Sequence, residues 1–498
     1  MSAPPSPSGE PAPLAALERR PALWLAALVL GLLAVRLALA GLLHLTEDEA
    51  YYRLWAQAPA AGYFDHPPMI AWWVEAGRWL AGDTALGVRL LPCLSCALTG
   101  FFVYDLARQL RAPPAAARRA VLWYNATLLI AAGGFLAVPD APASLFWLVC
   151  LCALHRAASH RSLAWWLLAG AAAGLAALSK YSALFLGPGV LLWLLTSREG
   201  RAALRTPGPW LALVIAAGVF APNVVWNAGH HWLTFTKQFG RITPRRFQPA
   251  SLLELLVGQA LLFNVCMVAF LLRPGALRRA WEGPGRLVLA ATAPFFAYLL
   301  LHALHDRVQA HWPAPLYAGL ALIAAVEAES AEGGRWRTVR RAAPWLGLGL
   351  AGVAAIIVAI PGLGERLLAD PGRPLRGWRD FAGEVSARRA TSGAQWVGTT
   401  SYGLAAQLLD EPGVGAPVVQ IAERDRWITL KTVRPDMVSP GLIVDLPRRV
   451  SLSLLRQCFG EVQPAGKLVR GAGSGRTLYA AVRVAQPRRD VLRAGCWR

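Results

Sequence analysis

Residues 44–69 read HLTEDEAYYRLWAQAPAAGYFDHPPM and stand between two long apolar runs. The stretch holds three adjacent acids (Glu47, Asp48, Glu49), a tyrosine doublet (Tyr51, Tyr52) and the pair Asp65–His66, stiffened by Pro67 and Pro68. Ionisable groups at the edge of an apolar span are costly to keep there and tend to mark a site. How this stretch is read therefore decides how the rest of the chain is read.

Working outward, the surroundings are those of a polytopic membrane protein. The 498 residues are 55% hydrophobic and only 16% charged, well under the roughly 25% usual for soluble domains. Apolar runs long enough to cross a bilayer fall near 21–43, 84–106, 120–138, 142–155, 163–178, 182–196, 209–227, 251–272, 286–304, 311–328 and 342–362, which predicts about eleven transmembrane helices. The segment 69–82 carries aromatics on one side with Glu75 and Arg78 on the other, the pattern of a helix lying in the interface.

The net charge of +21 comes almost wholly from arginine; the only lysines are Lys180, Lys237, Lys431 and Lys467. The arginines cluster in short loops between apolar runs, which argues against nucleic acid as a partner. Loops after the even-numbered runs hold seventeen Arg or Lys against nine on the other side. The positive-inside rule then puts residues 44–83 outside the cytoplasm. Residues 1–20, rich in Pro, Ser and Ala, read as a disordered cytoplasmic N-terminus.

From about residue 363 the character changes. Short β-type runs (QWVGTT, APVVQIA, GLIVDLP, TLYAAVRVA) alternate with helical patterns at 378–389 and 401–409, which predicts a C-terminal extracytoplasmic α/β domain over 363–498. In that compartment a disulfide between Cys458 and Cys496 is allowed.

The polar residues that resist a packing explanation gather on one face. They are Asp48, Glu49, Tyr52, Asp65 and His66 in the first outer loop, Asp140 in VPDAP, and Lys180 and Tyr181 in LSKYS. Lys237 and Arg241 lie in the fourth outer loop, and Arg307 lies in LHDRVQAHW. His302, His305 and His311 read as interfacial or packing residues. A carboxylate can take a proton from an acceptor hydroxyl, and cations can hold a phosphate as it leaves. Together these are the needs of glycosyl transfer from a lipid-linked phosphosugar. The chain has no glycine loop for a nucleotide. A flippase or transporter of a lipid-linked or anionic solute is the alternative from another class.

The run TEDEAYYRLWAQ…GYFDHPPM resembles the first-loop signature of the GT-C glycosyltransferases of the protein O-mannosyltransferase superfamily, in the bacterial branch of the lipid A aminoarabinose transferase. Asp48–Glu49, Tyr52 and Asp65–His66–Pro67–Pro68–Met69 match in order. The resemblance implies a GT-C transmembrane domain over 21–362 and an inverting transfer from a polyprenyl-phosphate sugar donor to a glycolipid or glycan acceptor, among the lipids of a bacterial inner membrane with the site facing the periplasm. It implies Asp48 as catalytic base with Glu49 as its neighbour. Tyr52, His66 (where the branch has Lys), Lys180, Lys237, Arg241 and Arg307 would contact the donor phosphate, and Asp140 and Tyr181 the sugar or acceptor. It also allows a divalent metal held by Asp65 with His231 or its neighbour His230.

Overall fold

The computed structural model of the protein describes residues 21–240, 247–360, 362–367, 370–430 and 435–492. Helices stand at each of the predicted apolar runs, but not as eleven full-length spans. Among the described residues six helices are long and apolar enough to cross a membrane: Leu23–Leu42, Ala85–Gln109, Asp140–His160, Gly208–Gly229, Arg286–Ala303 and Gly334–Ala359. A seventh is reached if Pro249–Phe263 and Val265–Leu271, bent by 105° at Asn264, count as one span. The predicted run 120–138 is instead two short helices, Pro114–Asn125 and Leu128–Gly133. Continuous apolar composition satisfies a hydropathy window but does not require one unbroken helix.

Packing among the helices relies on small residues, as expected where lipid offers no hydrophobic drive to associate. In GAAAG (170–174), a Cβ on Gly170 would sit 2.2 Å from the Ala212 carbonyl oxygen and one on Gly174 2.6 Å from Val219 Cβ. The two glycines let helix Leu163–Ser179 lie directly on Gly208–Gly229. Large side chains, Trp123, Trp147, Phe270 and Phe295 among them, fill the core around them. The predicted interfacial helix is present as Met69–Ala81.

The C-terminal part forms a five-stranded sheet with helices, in the order β2-β1-β3-β5-β4. The strands are β1 Trp396–Thr399, β2 Val418–Gln420, β3 Gly441–Asp445, β4 Phe459–Arg470 and β5 Thr477–Pro487. Strands β1, β2 and β3 run parallel, and β5 is antiparallel to both β3 and β4. Four strands and the helices Trp378–Thr391 and Tyr402–Asp410 lie where the sequence pattern puts them; β4 and the helix Leu452–Cys458 before it were not expected. Cys458 is disulfide-bonded; Cys496 lies outside the described residues, as does the N-terminus 1–20.

This sheet domain sits on the stretch after the first apolar helix. Gly403 brings helix Tyr402–Asp410 so close to helix Glu47–Ala56 that a Cβ there would meet the Glu47 side chain at 2.7 Å. Gln407 Nε2 donates to the Leu45 carbonyl (2.8 Å), Tyr51 Oη donates to the Arg426 carbonyl (3.1 Å), and Arg53 pairs with Asp410. The acidic stretch is therefore enclosed between the membrane helices and the C-terminal domain.

Candidate active site

The three acids occupy the first turn of helix Glu47–Ala56, where the helix dipole favours negative charge. Thr46 caps that helix in a reciprocal box with Glu49. Glu49, with no exposed surface, accepts from the backbone and hydroxyl of Thr46 (2.9 and 3.0 Å), from Ala137 N (2.8 Å), and from Arg89 Nε and Nη2 (2.7 and 2.6 Å). Arg89, equally buried, also donates to the carbonyls of Ala40, Leu43 and His44 (3.1, 2.6 and 2.7 Å). It thereby satisfies carbonyls at the end of the first helix that would otherwise lack partners. One guanidinium thus ties the end of the first span to the start of the next helix. Burial alone would raise the Glu49 carboxyl; the charge and hydrogen bonds of Arg89, with Thr46 and Ala137, outweigh it and hold the group below its ordinary value.

This arrangement corrects the pairing of Asp48 with Glu49 as one acid–base unit. The lone pairs of Glu49 are already engaged by the fold and it does not line the cavity. Its neighbour does. Asp48 opens onto a cavity of about 790 Å³, with Oδ1 accepting from Tyr402 Oη at 2.7 Å. Its side chain is accessible from the cavity, yet enough protein surrounds it that desolvation raises its pKa, against the Tyr402 hydrogen bond and the charge of His311.

Asp65, Tyr52 and His66 line the same cavity. Asp65 is held by Lys237 Nζ (2.5 Å) and by Arg426. Burial would raise its carboxyl, but Arg426 and Lys237 outweigh that and keep it below the usual range. Tyr52 is buried against Trp55 and His66 (ring centroids 5.0 and 6.3 Å). Asp140, Lys180 and Tyr181 complete the wall. Lys180 Nζ donates to Asp140 Oδ1 at 2.6 Å, while the buried Oδ2 makes no hydrogen bond and lies 3.8 Å from His311 Nε2. Tyr181 Oη is committed to Asn223 (2.8 Å).

Other candidates fall elsewhere. Arg307 is exposed, pairs with Glu254 and is not among the residues that line the cavity. Lys237 does not line the cavity; its ammonium serves Asp65 and lies over the Phe64 ring at 4.1 Å. Arg241 lies outside the described residues. The metal expectation does not fit. The Asp65 carboxylate faces two cations that would repel a third, His231 is exposed on a turn, and among the described residues no group of three or more His, Cys, Asp or Glu is placed to hold an ion.

Sequence reasoning missed Tyr402 and Arg426, which reach in from the C-terminal domain; His311, read as an interfacial or packing residue, also lines the cavity. Arg426 spans Asp65 and Glu423 with its guanidinium 4.3 Å from the Tyr402 ring centroid. Nothing local in SYGLAAQ or ERDRW signals this, because the contacts join residues more than 350 positions apart.

Residues 65–226 match the family model described as dolichyl-phosphate-mannose-protein mannosyltransferase. The chain is 32% identical over 188 residues to the lipid A galacturonosyltransferase RgtD of Rhizobium johnstonii, covering 37% of this chain and 38% of that protein. It is 29% identical over 246 residues to the undecaprenyl phosphate-alpha-4-amino-4-deoxy-L-arabinose arabinosyl transferase of Erwinia tasmaniensis, covering 46% and 43%. The matches thus span less than half of each curated relative. The fold agrees over far more: the crystal structure of ArnT from Cupriavidus metallidurans bound to undecaprenyl phosphate superposes with a TM-score of 0.64 at 16% identity, covering 96% of this chain and 99% of that one. The Asp65 and His66 of the opening motif fall at the start of the matched family segment, and the two-part architecture around them is that of ArnT. The likeness is thus one of sequence over part of the chain, residues 65–226 included, and one of fold over nearly all of it.

Proposed function

We propose that the protein is an inverting glycosyltransferase of the bacterial inner membrane. It takes a sugar from a polyprenyl-phosphate carrier and passes it to a lipid or glycan acceptor on the periplasmic face. The observation that carries this reading is the position of Asp48, an accessible carboxylate that shares one cavity with Lys180, His66, His311 and Arg426. Inverting displacement needs a base on one side of the anomeric carbon and a charge acceptor for the departing phosphate on the other. Asp48 takes the proton of the acceptor hydroxyl as its oxygen bonds the anomeric carbon. The bond from that carbon to the phosphate oxygen breaks, and polyprenyl phosphate leaves. Desolvation makes Asp48 a stronger base than a solvated aspartate. An ammonium has three donors; Lys180 commits one to Asp140, and the others suit the phosphate.

The sugar is a uronic acid in one curated relative's name and an aminopentose in the other's. The unbonded Oδ2 of Asp140 suits a hydroxyl or ammonium of such a sugar. Both relatives are named as transferases, which disfavours the flippase alternative. The test in cells is mass spectrometry of surface glycolipids with and without the gene. Loss of one sugar mass is expected on deletion; unchanged glycolipids with altered solute uptake would contradict the reading.

Tyr402→Phe tests the base separately. The lost hydrogen bond favoured the carboxylate, so the Asp48 pKa rises further in the variant. Activity needs Asp48 ionised, so the acidic limb of the rate profile is expected to move to higher pH, measured as initial transfer rate against pH. An unmoved limb would show that Asp48 is not the group titrating there.

A further inference from the structure

Arg36 is a cation within the first span, helix Leu23–Leu42, and it is 4% exposed. Its Nη2 donates to Asn125 Oδ1 (2.9 Å), a neutral amide; its Nη1 is buried and makes no hydrogen bond. Among the described residues Arg36 takes part in no ion pair. Arg89 is the contrast: equally enclosed, it is neutralised by Glu49 and by three carbonyls. Buried charges are normally paired, and ionisable groups kept inside a span tend to mark a ligand's place. Arg36 lies against one end of the cavity described above. Gly134, Cys96 and Tyr124 line that end. A Cβ on Gly134 would stand 3.0 Å from Arg36 Nε and 3.1 Å from Cys96 Sγ, so the glycine puts no side chain between the guanidinium and the cavity. The acids of the cavity leave Arg36 unmatched: Asp65 pairs with Lys237 and Arg426, Asp140 with Lys180, and Asp48 accepts from Tyr402. On helix Ala85–Gln109, Cys96 lies seven residues beyond Arg89, which holds Glu49, so this end stands about 10 Å deeper than the turn that carries Asp48. A hexose ring with a hydrogen bond of about 3 Å at each end covers that depth.

We propose that Arg36 selects an acidic sugar: its guanidinium takes the carboxylate of a uronic acid on the donor, while the donor phosphate lies at Lys180 and the anomeric carbon beside Asp48. This rests on reading the protein as a sugar transferase with Asp48 as base, and it names the class of sugar. A guanidinium and a carboxylate form a charge-assisted pair that gains strength in a dry site. A neutral hexose would leave the cation unpaired, and an aminopentose would bring a second positive charge towards it. The site thus discriminates by lost pairing against one and by repulsion against the other. The free Oδ2 of Asp140 then accepts from a hydroxyl of the same ring.

The test uses the full-length protein in nanodiscs of zwitterionic lipid and three non-transferable phosphonate analogues of a polyprenyl-phosphate sugar, carrying galacturonic acid, galactose or 4-amino-4-deoxyarabinose. The wild type is expected to bind the galacturonic acid analogue about tenfold or more tighter than its galactose twin, and the aminopentose analogue most weakly. In Arg36→Gln the galacturonic acid analogue should fall to the level of galactose, with galactose and polyprenyl phosphate bound as by the wild type. Arg36 also holds Asn125, so Arg36→Lys is measured beside it; it keeps the charge and should keep part of the preference, whereas a purely structural role would weaken all three analogues alike. A wild type with no preference for the galacturonic acid analogue overturns the proposal without any variant, as does equal weakening of all three in both variants. With transferable donors the two readings separate. Arg36-dependent binding of the uronic acid with no transfer from any donor would sink the transferase reading alone. Transfer of galactose or the aminopentose in preference to galacturonic acid would sink this proposal and leave the transferase reading standing.

Discussion

Asp48→Asn is expected to reduce sugar transfer by about 10²–10⁴-fold, the contribution usual for a positioned general base, while the protein folds and binds polyprenyl phosphate as before. The substitution is nearly isosteric and keeps an oxygen to accept from Tyr402. Asp48 takes part in no ion pair among the described residues, so its removal strands no buried cation. The loss should therefore appear in kcat and not in donor affinity. It is measured as initial rate with purified protein at saturating donor, alongside direct binding of polyprenyl phosphate. Full activity in the variant would remove Asp48 from the mechanism.

One residue on, the same chemical change should have the opposite signature. Glu49→Gln is expected to destabilise the fold by about 3–5 kcal/mol, because breaking a buried pair leaves an uncompensated charge. Arg89 would keep its carbonyl partners but lose the carboxylate that neutralises it within a site of no exposure. The Glu49 carboxyl is held below its ordinary value in the folded protein. The stability from this pair is therefore present at neutral pH and is lost only on acidification through that lowered value. Thermal unfolding in detergent should show a markedly lower midpoint for Glu49→Gln at neutral pH, and a difference from wild type that narrows at strongly acidic pH. A variant as stable as wild type but without transfer would return Glu49 to the chemistry.

These two outcomes bear on what a sequence of this kind discloses. The run TEDE signals a site because three acids at a membrane edge need a reason, and the order of Asp48, Tyr52, Asp65 and His66 carries the resemblance to the GT-C first-loop signature. The division of labour between Asp48 and Glu49 is not legible there, because it depends on Arg89, forty positions away, and on Ala137. Apolar composition locates the helices but not their breaks, as at Asn264, where the chain turns through 105° within a predicted span. Lys180 stood out as a rare lysine, and the structure places it in the cavity wall. Arg307, read onto the same face from its loop, lies on the surface, since a charge pattern carries no information on which face of a loop meets the cavity. Tyr402 and Arg426 come from a domain whose sequence reads only as short strands, helical patterns and turns. Their part follows from how that domain docks on helix Glu47–Ala56.

The central claim is that Asp48 drives an inverting transfer from a polyprenyl-phosphate sugar. The most direct measurement is reconstitution of the purified protein with synthetic polyprenyl-phosphate donors, one carrying galacturonic acid and one carrying 4-amino-4-deoxyarabinose, and a glycolipid acceptor. Products are followed by mass spectrometry and the new anomeric centre by NMR. The account predicts that one donor yields an acceptor heavier by one sugar, with inverted anomeric configuration and free polyprenyl phosphate, and that Asp48→Asn abolishes the product. A product with retained configuration, or one formed equally by Asp48→Asn, would contradict it.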